Sequence, residues 1–308
     1  MSAGSIVVVG ASMLDLISYV PRLPTPGETL HGSSFQMGYG GKGANQAVMA
    51  AKLGSKVSMV VKLGTDVFGD GTVNNFREHG IDTTHVHQTE EAFSGVAPIA
   101  VDDQGDNAII IVAGANDYLT IDEVEAARPV ISAADVVVCQ LEIPLEVTLA
   151  ALRTAREESV LTILNPAPAR SELPDKLFQL ADIFCPNEPE TELLTGHPIG
   201  TIEDAVAQAE ALRSRGAGSV VLTLGERGCL VVDGDGATEF ASDQVEAVDT
   251  TGAGDAFVGS LAHFLARGAS IRDAAARASK VAALSVTRRG TQTSFPDAAD
   301  LPPELRDL

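Results

Sequence analysis

Residues 249–255 combine the residue types that phosphoryl transfer to an alcohol requires. They read Asp-Thr-Thr-Gly-Ala-Gly-Asp and precede apolar residues at helical spacing, so a helix must begin within or just after the glycines. The unpaired N–H groups at a helix start bind anions, and phosphate especially. A carboxylate among those donors opposes simple anion binding, because like charges repel. The run therefore predicts that Asp255 takes a proton from an attacking hydroxyl while the amides stabilise the developing charge.

A second glycine-rich run, at residues 40–45, offers donors to a ligand that carries hydroxyl groups. Its glycines permit close approach of the ligand to the backbone, and Lys42 and Asn45 can donate hydrogen bonds. Two carboxylates, Asp15 and Glu142, follow predicted strands, and the carboxyl ends of parallel strands are where open sheets bind ligands. Each feature also has a structural interpretation: a flexible turn with a solvated lysine for the run, and a helix cap or solvated loop acid for each carboxylate.

Other nucleotide-binding signatures are missing from the chain. It contains no Gly-x-x-x-x-Gly-Lys-Ser/Thr run, and residues 9–12 after the first strand are too sparse for a dinucleotide fingerprint. The six histidines show no spacing that suggests a metal site. These features count against a P-loop enzyme and against an NAD-dependent enzyme.

Composition limits the kinds of binding partner and the cellular compartment that we expect for this protein. The 308 residues are 45% hydrophobic, and the net charge of −21 argues against nucleic acid and acidic membranes. Residues 1–4 lack a basic segment and residues 6–9 are too short for a signal or spanning helix. Cys139, Cys185 and Cys229 lie far apart, which predicts free thiols in a reducing compartment. We expect a soluble, cytoplasmic protein.

Short β-branched runs alternate with helical patterns, which predicts an α/β fold with a mainly parallel sheet between helices. The predicted strands are 6–9, 57–61, 136–139, 161–164, 183–185, 220–224 and 230–232. The predicted helices lie near 43–53, 69–79, 122–132, 145–157, 203–215 and 253–285. Segments 15–37 and 95–112 break the alternation, and residues 102–105 form a turn within the second. These two segments predict a small β-sheet apart from the main body.

Several segments in a fixed order carry a resemblance to a known family. They are residues 24–29, 40–46, 140–142, 165–169, 186–188, 249–257 and 290–292. Together they resemble the PfkB family of sugar kinases over nearly the whole chain. The resemblance implies a ribokinase-like fold, a single kinase domain over 1–308, and a lid formed by 15–37 and 95–112. In this family the lid often forms a dimer contact, so a homodimer is expected.

The resemblance also assigns roles to residues. It implies that Asp255 is the catalytic base and that the anion hole is formed by Gly252, Ala253 and Gly254. The implied sugar contacts are Met13, Leu14, Asp15, Gly41, Lys42, Gly43, Ala44, Asn45, Glu142 and Asp255. The implied nucleotide contacts are Asn187, Thr223, Leu224, Gly225, Glu226, Arg227, Gly228, Gly254 and Ser279. A monovalent cation, K⁺, is implied at Asp249, Thr251, Ser285, Arg288, Gly290 and Ser294, and Mg²⁺ near Glu190.

Several of these assignments have structural alternatives. Asp249 also fits a loop-start carboxylate that binds nearby amides. Asn187 and Glu190 fit a helix capping box, and residues 223–228 fit a hairpin loop before the next strand. Met13 departs from the asparagine that several family members have there, and its thioether is a weak acceptor for a sugar hydroxyl.

The resemblance implies ATP-dependent phosphorylation of a pentose, with D-ribose at its 5-hydroxyl as the expected substrate. Deoxyribose, another sugar or a nucleoside are the alternatives within the family. An alternative from a different class is a catalytically silent sugar-binding protein. The intact Asp255 and its neighbouring glycines argue against this alternative.

Overall fold

A computed structural model describes residues 3–306, so the ends of the expected 1–308 domain and part of the N-terminal segment 1–4 lie outside the described residues. The strands are β1 (Ser5–Val9), β2 (Met13–Tyr19), β3 (Ser34–Gly40), β4 (Lys56–Gly64), β5 (Val86–Thr89), β6 (Gly95–Val101), β7 (Asn107–Ile109), β8 (Val136–Cys139), β9 (Leu161–Leu164), β10 (Ile183–Phe184), β11 (Ser219–Thr223), β12 (Cys229–Asp233) and β13 (Gly236–Phe240). The helices are α1 (Lys42–Lys52), α2 (Val67–Glu78), α3 (Ile121–Ala126), α4 (Arg128–Ser132), α5 (Leu145–Glu157), α6 (Asp175–Leu180), α7 (Glu188–Thr195), α8 (Ile202–Ser214), α9 (Ala253–Ala266), α10 (Ile271–Ser285) and α11 (Pro303–Arg306).

The main sheet confirms the predicted α/β architecture. Within residues 3–306 it has nine strands in the order β13-β12-β11-β10-β9-β8-β1-β4-β5. The pairs from β11 through β8 and β1 to β5 are parallel, whereas β12 and β13 are added by antiparallel pairing. The sequence analysis missed β5 and β13, whose residues are mostly partly exposed and lack the apolar runs of the central strands.

Strand β1 shows why the central strands are apolar throughout. Its side chains at Ile6 and Val8 belong to the core cluster that contains residues of α1, α9 and α10. The alternate side chains, Val7 and Val9, belong to a second cluster with residues of α5, α6 and α8. Because successive residues point to opposite faces, a strand covered on both sides needs apolar residues at every position.

Two predicted helical stretches are each interrupted. The stretch 253–285 forms α9 and α10, separated where Gly268 has a φ of 89°, a conformation that ends helices and that glycine adopts without a steric penalty. The stretch 122–132 forms α3 and α4, and Pro129 lies in the first turn of α4. Proline suits a first helical turn because it has no N–H to leave unpaired there.

The small sheet is present and is longer than predicted. Its strand order is β3-β2-β6-β7, and the β2–β3 pairing begins at Met13 opposite Gly40 rather than within 15–37. The turn expected at 102–105 is confirmed by the N–H of Gly105, which donates to the carbonyl of Asp102. The chain therefore enters the small sheet from β1 of the main sheet and leaves its first strand pair into α1.

The carboxyl ends of β1, β8, β9, β10 and β11 share one edge of the main sheet, because these strands are parallel neighbours or near neighbours. The small sheet leaves β1 at the same edge. In the part of the chain that the structure describes, no helix combines the length and apolar character needed to cross a bilayer.

Candidate active site

The glycine run at 249–255 does form the start of a helix. Gly252 has a φ of 79° and precedes the first residue of α9, whose N-terminus receives no side-chain cap. A Cβ at Gly252 would lie 2.7 Å from the Thr291 side chain, so both the backbone angle and the space require glycine. No atom lies within 4 Å of the position of a Cβ at Gly254. The loop thus presents uncapped helix amides beside open space, which suits an anion.

One predicted donor of the anion hole is already engaged. The N–H of Ala253 donates to the carbonyl of Thr250 at 3.2 Å. The carbonyl of Gly252 accepts from the N–H of Ala256, a hydrogen bond of the first turn of α9 that does not involve the N–H of Gly252. The arrangement leaves the amides of Gly252 and Gly254 better suited than that of Ala253 to bind an incoming anion.

Asp255 lies in the first turn of α9 and is 8% exposed. One carboxylate oxygen accepts a hydrogen bond from Asn45 Nδ2 at 2.8 Å, and the other accepts from Gln46 Nε2 at 2.9 Å. Both donors lie on α1. The carboxylate is therefore fixed in orientation by neutral amides, which cannot themselves take up a proton.

Three further carboxylates surround this aspartate. Burial, and then the charge of Asp255, raise the pKa of Asp15 to about 6. Burial also raises the pKa of Glu142 to about 6, although Lys42 partly opposes it through its charge and its backbone N–H, which donates to Glu142 Oε2 at 2.8 Å. Burial likewise raises the pKa of Glu190, with an opposing hydrogen bond from the Asn187 backbone.

Lys42 provides the positive charge among these acids. Burial lowers its pKa, but the charges of Asp255, Glu142 and Glu190 outweigh burial and raise the pKa above its ordinary value. The ammonium group therefore stays charged inside the cleft. A lysine held in this way can neutralise part of the charge of a phosphate without a fixed partner of its own.

A cavity joins the two glycine-rich runs. It is lined by Lys42, Asn165, Ala167, Cys185, Asn187, Glu190, Thr223, Thr250, Gly252, Ala253, Gly254, Asp255 and Val258. Lys42, Asn187, Glu190 and Thr223 thus lie around one cavity with Asp255, although they are far apart in the sequence.

The remaining residues of the predicted site lie around the cavity rather than in its wall. Asn45 reaches Asp255, and Glu142 accepts from Lys42. Met13 is 4% exposed and packs in the second core cluster, and Leu14 is also buried. The predicted sugar and nucleotide residues that do not line the cavity are Met13, Leu14, Asp15, Gly41, Gly43, Ala44, Asn45, Glu142, Leu224, Gly225, Glu226, Arg227, Gly228 and Ser279, and the six predicted cation residues Asp249, Thr251, Ser285, Arg288, Gly290 and Ser294 do not line it either.

The glycines at 40–43 have packing reasons of their own. A Cβ at Gly41, whose φ is 86°, would lie 2.8 Å from the backbone of Ser12 and Met13, and one at Gly43 would lie 2.8 Å from the Ala11 carbonyl. A Cβ at Gly40 would lie 2.7 Å from both carboxylate oxygens of Asp15. These glycines let α1 begin against the turn after β1 and hold Asp15 over the run.

The capping interpretation of Asn187 is confirmed. Its Oδ1 accepts from the N–H of Glu190 at 2.8 Å, and Glu190 Oε2 accepts from the N–H of Asn187 at 2.9 Å. Glu190 is nevertheless only 5% exposed and lines the cavity. The cap therefore also aims a carboxylate at the cleft.

The hairpin interpretation of residues 223–228 is confirmed as well. A 3₁₀ turn at Gly225–Arg227 joins β11 to β12, and the N–H of Leu224 donates to the carbonyl of Gly228 at 2.8 Å. Arg227 forms an ion pair with Glu188 at the start of α7. Thr223 is the residue of this segment that reaches the cavity.

Asp249 connects the anion loop to the segment after α10. Its carboxylate accepts from the N–H of Thr251 at 3.0 Å and from the N–H of Gly290 at 2.9 Å. Burial alone would raise its pKa, but the hydrogen bonds from Gly290 and Thr251 outweigh burial and lower the pKa. The side chain of Arg288 is turned to Asp300. The expected binding of Asp249 to nearby amides is thus confirmed, and it brings Asp249, Thr251 and Gly290 of the implied cation residues together.

Sequence reasoning missed several cavity residues and contacts. Asn165 follows β9 at the same sheet edge, so the reasoning that found Asp15 and Glu142 would also have found it. Gln46 lies within a run that the sequence analysis used, but its role depends on which way the first turn of α1 faces. Four other lining residues have no sequence pattern that marks them as functional, because they form part of the cavity wall and bring no charge to it: Thr250, Val258, Ala167 and Cys185.

Comparison with known proteins agrees with this geometry. The model of the pfkB family of carbohydrate kinases matches residues 3–298. The chain is 45% identical to the ribokinase of Mus musculus over 304 residues, which are 97% of this chain and 94% of the relative. It is 42% identical to the deoxyribokinase of Salmonella typhi over 291 residues, or 94% of this chain and 95% of the relative.

A solved structure shows the same architecture. The structure of Arabidopsis thaliana ribokinase complexed with ribose and ATP matches with a TM-score of 0.91 at 29% identity, covering 100% of both chains. The predicted ribokinase-like fold is therefore confirmed.

The unfavourable ionisation of Asp15 predicts that Asp15→Asn stabilises the ligand-free protein above pH 6. The folded-state pKa is raised from 3.8 to about 6, so this group contributes most to stability below pH 4, and the contribution is lost as the pH rises through 6. At pH 8 the neutral amide should increase the free energy of unfolding by about 1–3 kcal/mol, and at pH 4 by little. Urea unfolding at both pH values measures this, with the exposed turn variant Asp103→Asn as the control. A gain that is equal at both pH values would contradict the prediction.

Proposed function

The chain belongs to the pfkB family of carbohydrate kinases, and from this membership and the cleft we propose that it phosphorylates D-ribose at the 5-hydroxyl, using ATP. The observation that carries the proposal is the buried carboxylate of Asp255 at an uncapped helix start, with each oxygen held by an amide of α1. A general base next to an anion-binding loop is what phosphoryl transfer to an alcohol needs.

The sugar binds between the glycine run and the small sheet in this proposal. Asp15 supports it, because within residues 3–306 its carboxylate has no hydrogen-bond donor although the residue is partly buried. Such a group is costly to bury unless a ligand supplies the donors. Vicinal hydroxyls supply two at once. Lys42, Asn45 and Glu142 lie close enough to Asp255 to fix the rest of the ring.

The chemical step follows from the two sides of the loop. Asp255 accepts the proton of the 5-hydroxyl as that oxygen attacks the γ-phosphorus of ATP. The bond between the γ-phosphorus and the β,γ-bridging oxygen breaks, and ADP leaves with that electron pair. The amides of the loop and the Lys42 ammonium stabilise the negative charge on the transferred group.

The nucleotide lies along Asn187, Thr223 and the hairpin turn, with Mg²⁺ near Glu190. Among residues 3–306 no group of three or more His, Cys, Asp or Glu side chains is arranged to hold a metal ion. The donor set still fits, because Glu190 lines the cavity and engages its Oε2 in the capping box, which leaves Oε1 for a ligand, and Mg²⁺ keeps several waters and binds chiefly to phosphates. Bound there, the ion would neutralise phosphate charge.

A potassium site adjoins the anion loop in the proposal. Its oxygens come from Asp249, Thr251, Ser285, Arg288, Gly290 and Ser294. Asp249 supports it as an ionised carboxylate, Ser285 and Ser294 are each 1% exposed, and the Arg288 side chain leaves its carbonyl for the role. Oxygen ligands of this kind suit hard cations. The cation would hold the loop that carries Asp255.

The proposal extends to assembly and location. The chain is a single kinase domain in which the small sheet is the lid, and two lids pair in a homodimer. In support, Phe35, Met37, Ile110 and Val112 of this region are at least half exposed, which is more apolar surface than a free face usually carries. The enzyme is cytoplasmic, where ATP is available and the buried thiols stay reduced.

ADP release measured against ribose, deoxyribose, fructose, ribulose and adenosine tests the assignment of function. Ribose should give the highest kcat/KM. If the protein turns over none of these compounds, the result would contradict a sugar kinase and favour a silent binding protein. A clear preference for a compound other than ribose would change the assigned substrate but not the family.

Asp255→Asn should nearly abolish turnover and leave sugar binding almost intact. The amide keeps the shape but cannot accept the hydroxyl proton, and loss of a general base costs about 10²–10⁴-fold in rate or more. Single-turnover kinetics and calorimetric titration with ribose separate the two effects. A rate within a few-fold of the wild type would show that another group is the base.

Deoxyribose is the second candidate substrate, and the buried Met13 favours it together with the similarity to a deoxyribokinase. If Met13 faces the 2-position, a ribose hydroxyl there lacks a good partner, and discrimination between the sugars is about 10²-fold at most. Met13→Asn should then shift the ratio of kcat/KM values towards ribose. An unchanged ratio would mean that another residue reads the 2-position.

Potassium should activate the enzyme, and sodium should do so much less. The reason is that a cation beside Asp249 and Gly290 preorders the amides of the anion loop before the chemical step. The assay is run in Tris buffer without potassium and then with each chloride salt at equal ionic strength. Equal rates with and without potassium would remove this part of the proposal.

A further inference from the structure

Two chains of buried amide side chains converge on Asp255. In the first, Asn75 Nδ2 donates to Gln292 Oε1 at 2.9 Å, Gln292 Nε2 donates to Asn45 Oδ1 at 3.0 Å, and Asn45 Nδ2 donates to Asp255 at 2.8 Å. Each of the three amides is no more than 6% exposed. Asn75 lies on α2, outside the cavity wall, so the chain reaches well beyond the cleft.

The second chain approaches the other carboxylate oxygen. Gln140 Nε2 donates to Gln46 Oε1 at 2.6 Å, and Gln46 Nε2 donates to Asp255 at 2.9 Å and to Asn165 Oδ1 at 3.1 Å. Asn165 in turn donates to the Cys185 carbonyl. A Cβ at Gly10 would lie 2.1 Å from Gln140 Oε1, so the glycine after β1 makes room for this side chain.

The direction of both chains follows from chemistry. An ionised carboxylate only accepts hydrogen bonds, so Asn45 and Gln46 must turn their NH₂ groups towards Asp255. Their carbonyl oxygens then face away and require donors, which Gln292 and Gln140 supply. Gln292 Oε1 then needs a donor as well, and the NH₂ group of Asn75 supplies it. Each amide can be oriented in only one way while Asp255 is ionised.

We propose that Asn75, Gln292, Gln140 and Gln46 are positioning residues whose one-way amide chains hold the Asp255 carboxylate in the orientation in which it accepts the substrate proton. This inference rests on the proposed function. The carboxylate is stabilised by oriented neutral dipoles rather than by contact with a cation, which would hold the negative charge more tightly and weaken its basicity.

The titratable groups that face Asp255 are carried by elements other than α9. They are Asp15 on β2, Lys42 on α1, Glu142 after β8, Glu190 on α7 and the Cys185 thiol after β10. None of them belongs to the amide chains. A change made at Asn75 therefore alters the dipoles at Asp255 without replacing any of these neighbours.

Asn75→Asp reverses the first chain with a substitution of the same shape. A carboxylate at 75 accepts from Gln292 Nε2, which turns Gln292 Oε1 towards Asn45 and leaves Asn45 Oδ1 facing Asp255. Two acceptors then meet, and protonation of Asp255 relieves the conflict. The acidic limb of the kcat/KM profile against pH should rise by about 1 unit, which is a tenfold loss of rate at pH values below that limb. The rate should recover at high pH, which a merely structural defect would not do.

Asn74→Asp is the matched control. It adds the same charge one residue away on the same turn of α2, on the exposed side of the helix. Its profile should overlay that of the wild type. If Asn75→Asp folds poorly, Gln140→Glu performs the same reversal through Gln46 and should move the same limb.

A double variant separates the hydrogen-bond chain from the through-space effect of charge. Gln292→Met cuts the chain, so adding Asn75→Asp to it should no longer move the acidic limb at saturating potassium. A shift that persists in the double variant, or profiles of Asn75→Asp and Gln140→Glu that overlay the wild type, would overturn the inference. Absence of turnover in the wild-type protein with every sugar would instead count against the proposed function.

Discussion

A base that works inside a cleft must be buried, ionised and oriented without being neutralised, and much of this structure serves that constraint at Asp255, the base that we propose. A cation in direct contact would hold the negative charge and weaken the base. The protein instead gives each carboxylate oxygen one amide donor from α1. These donors in turn need partners from α2, from the end of β8 and from the segment after α10. The packing of these elements is therefore coupled to the chemistry.

Glycine supplies the close approach that this arrangement requires. Gly41 and Gly43 let α1 start against the turn after β1, which brings Asn45 and Gln46 to α9. Gly252 gives the anion loop a backbone conformation that other residues rarely adopt. Had any of these positions carried a Cβ, the backbone would have to separate by several tenths of an ångström or more, and the donors would no longer reach the carboxylate.

The carboxylates of the cleft also destabilise the ligand-free fold when they are ionised. Asp15, Glu142 and Glu190 all have raised pKa values, with burial as the main cause, and Lys42 offsets only part of that charge. Such destabilisation is typical of sites prepared for a ligand. In the function that we propose, sugar hydroxyls donate to the carboxylates, and a metal-bound phosphate brings counter-charge of its own. The ligand-free state thus stores part of the interaction energy that binding releases.

The sequence by itself determined the features that depend on residues close together along the chain, namely the strands, the helices and the glycine run at Asp255. Continuous apolar runs and helical repeats gave the α/β fold, and the run at the start of α9 pointed to Asp255, because a helix start and its glycines are contiguous. The division of 253–285 at Gly268 was also visible locally and was overlooked. The tertiary structure alone decided the partners of Asp255. Asn45 and Gln46 lie about 210 positions away, and an amide side chain has no local pattern that distinguishes a buried donor from a solvated one. Its role is set by which surfaces the fold brings into contact.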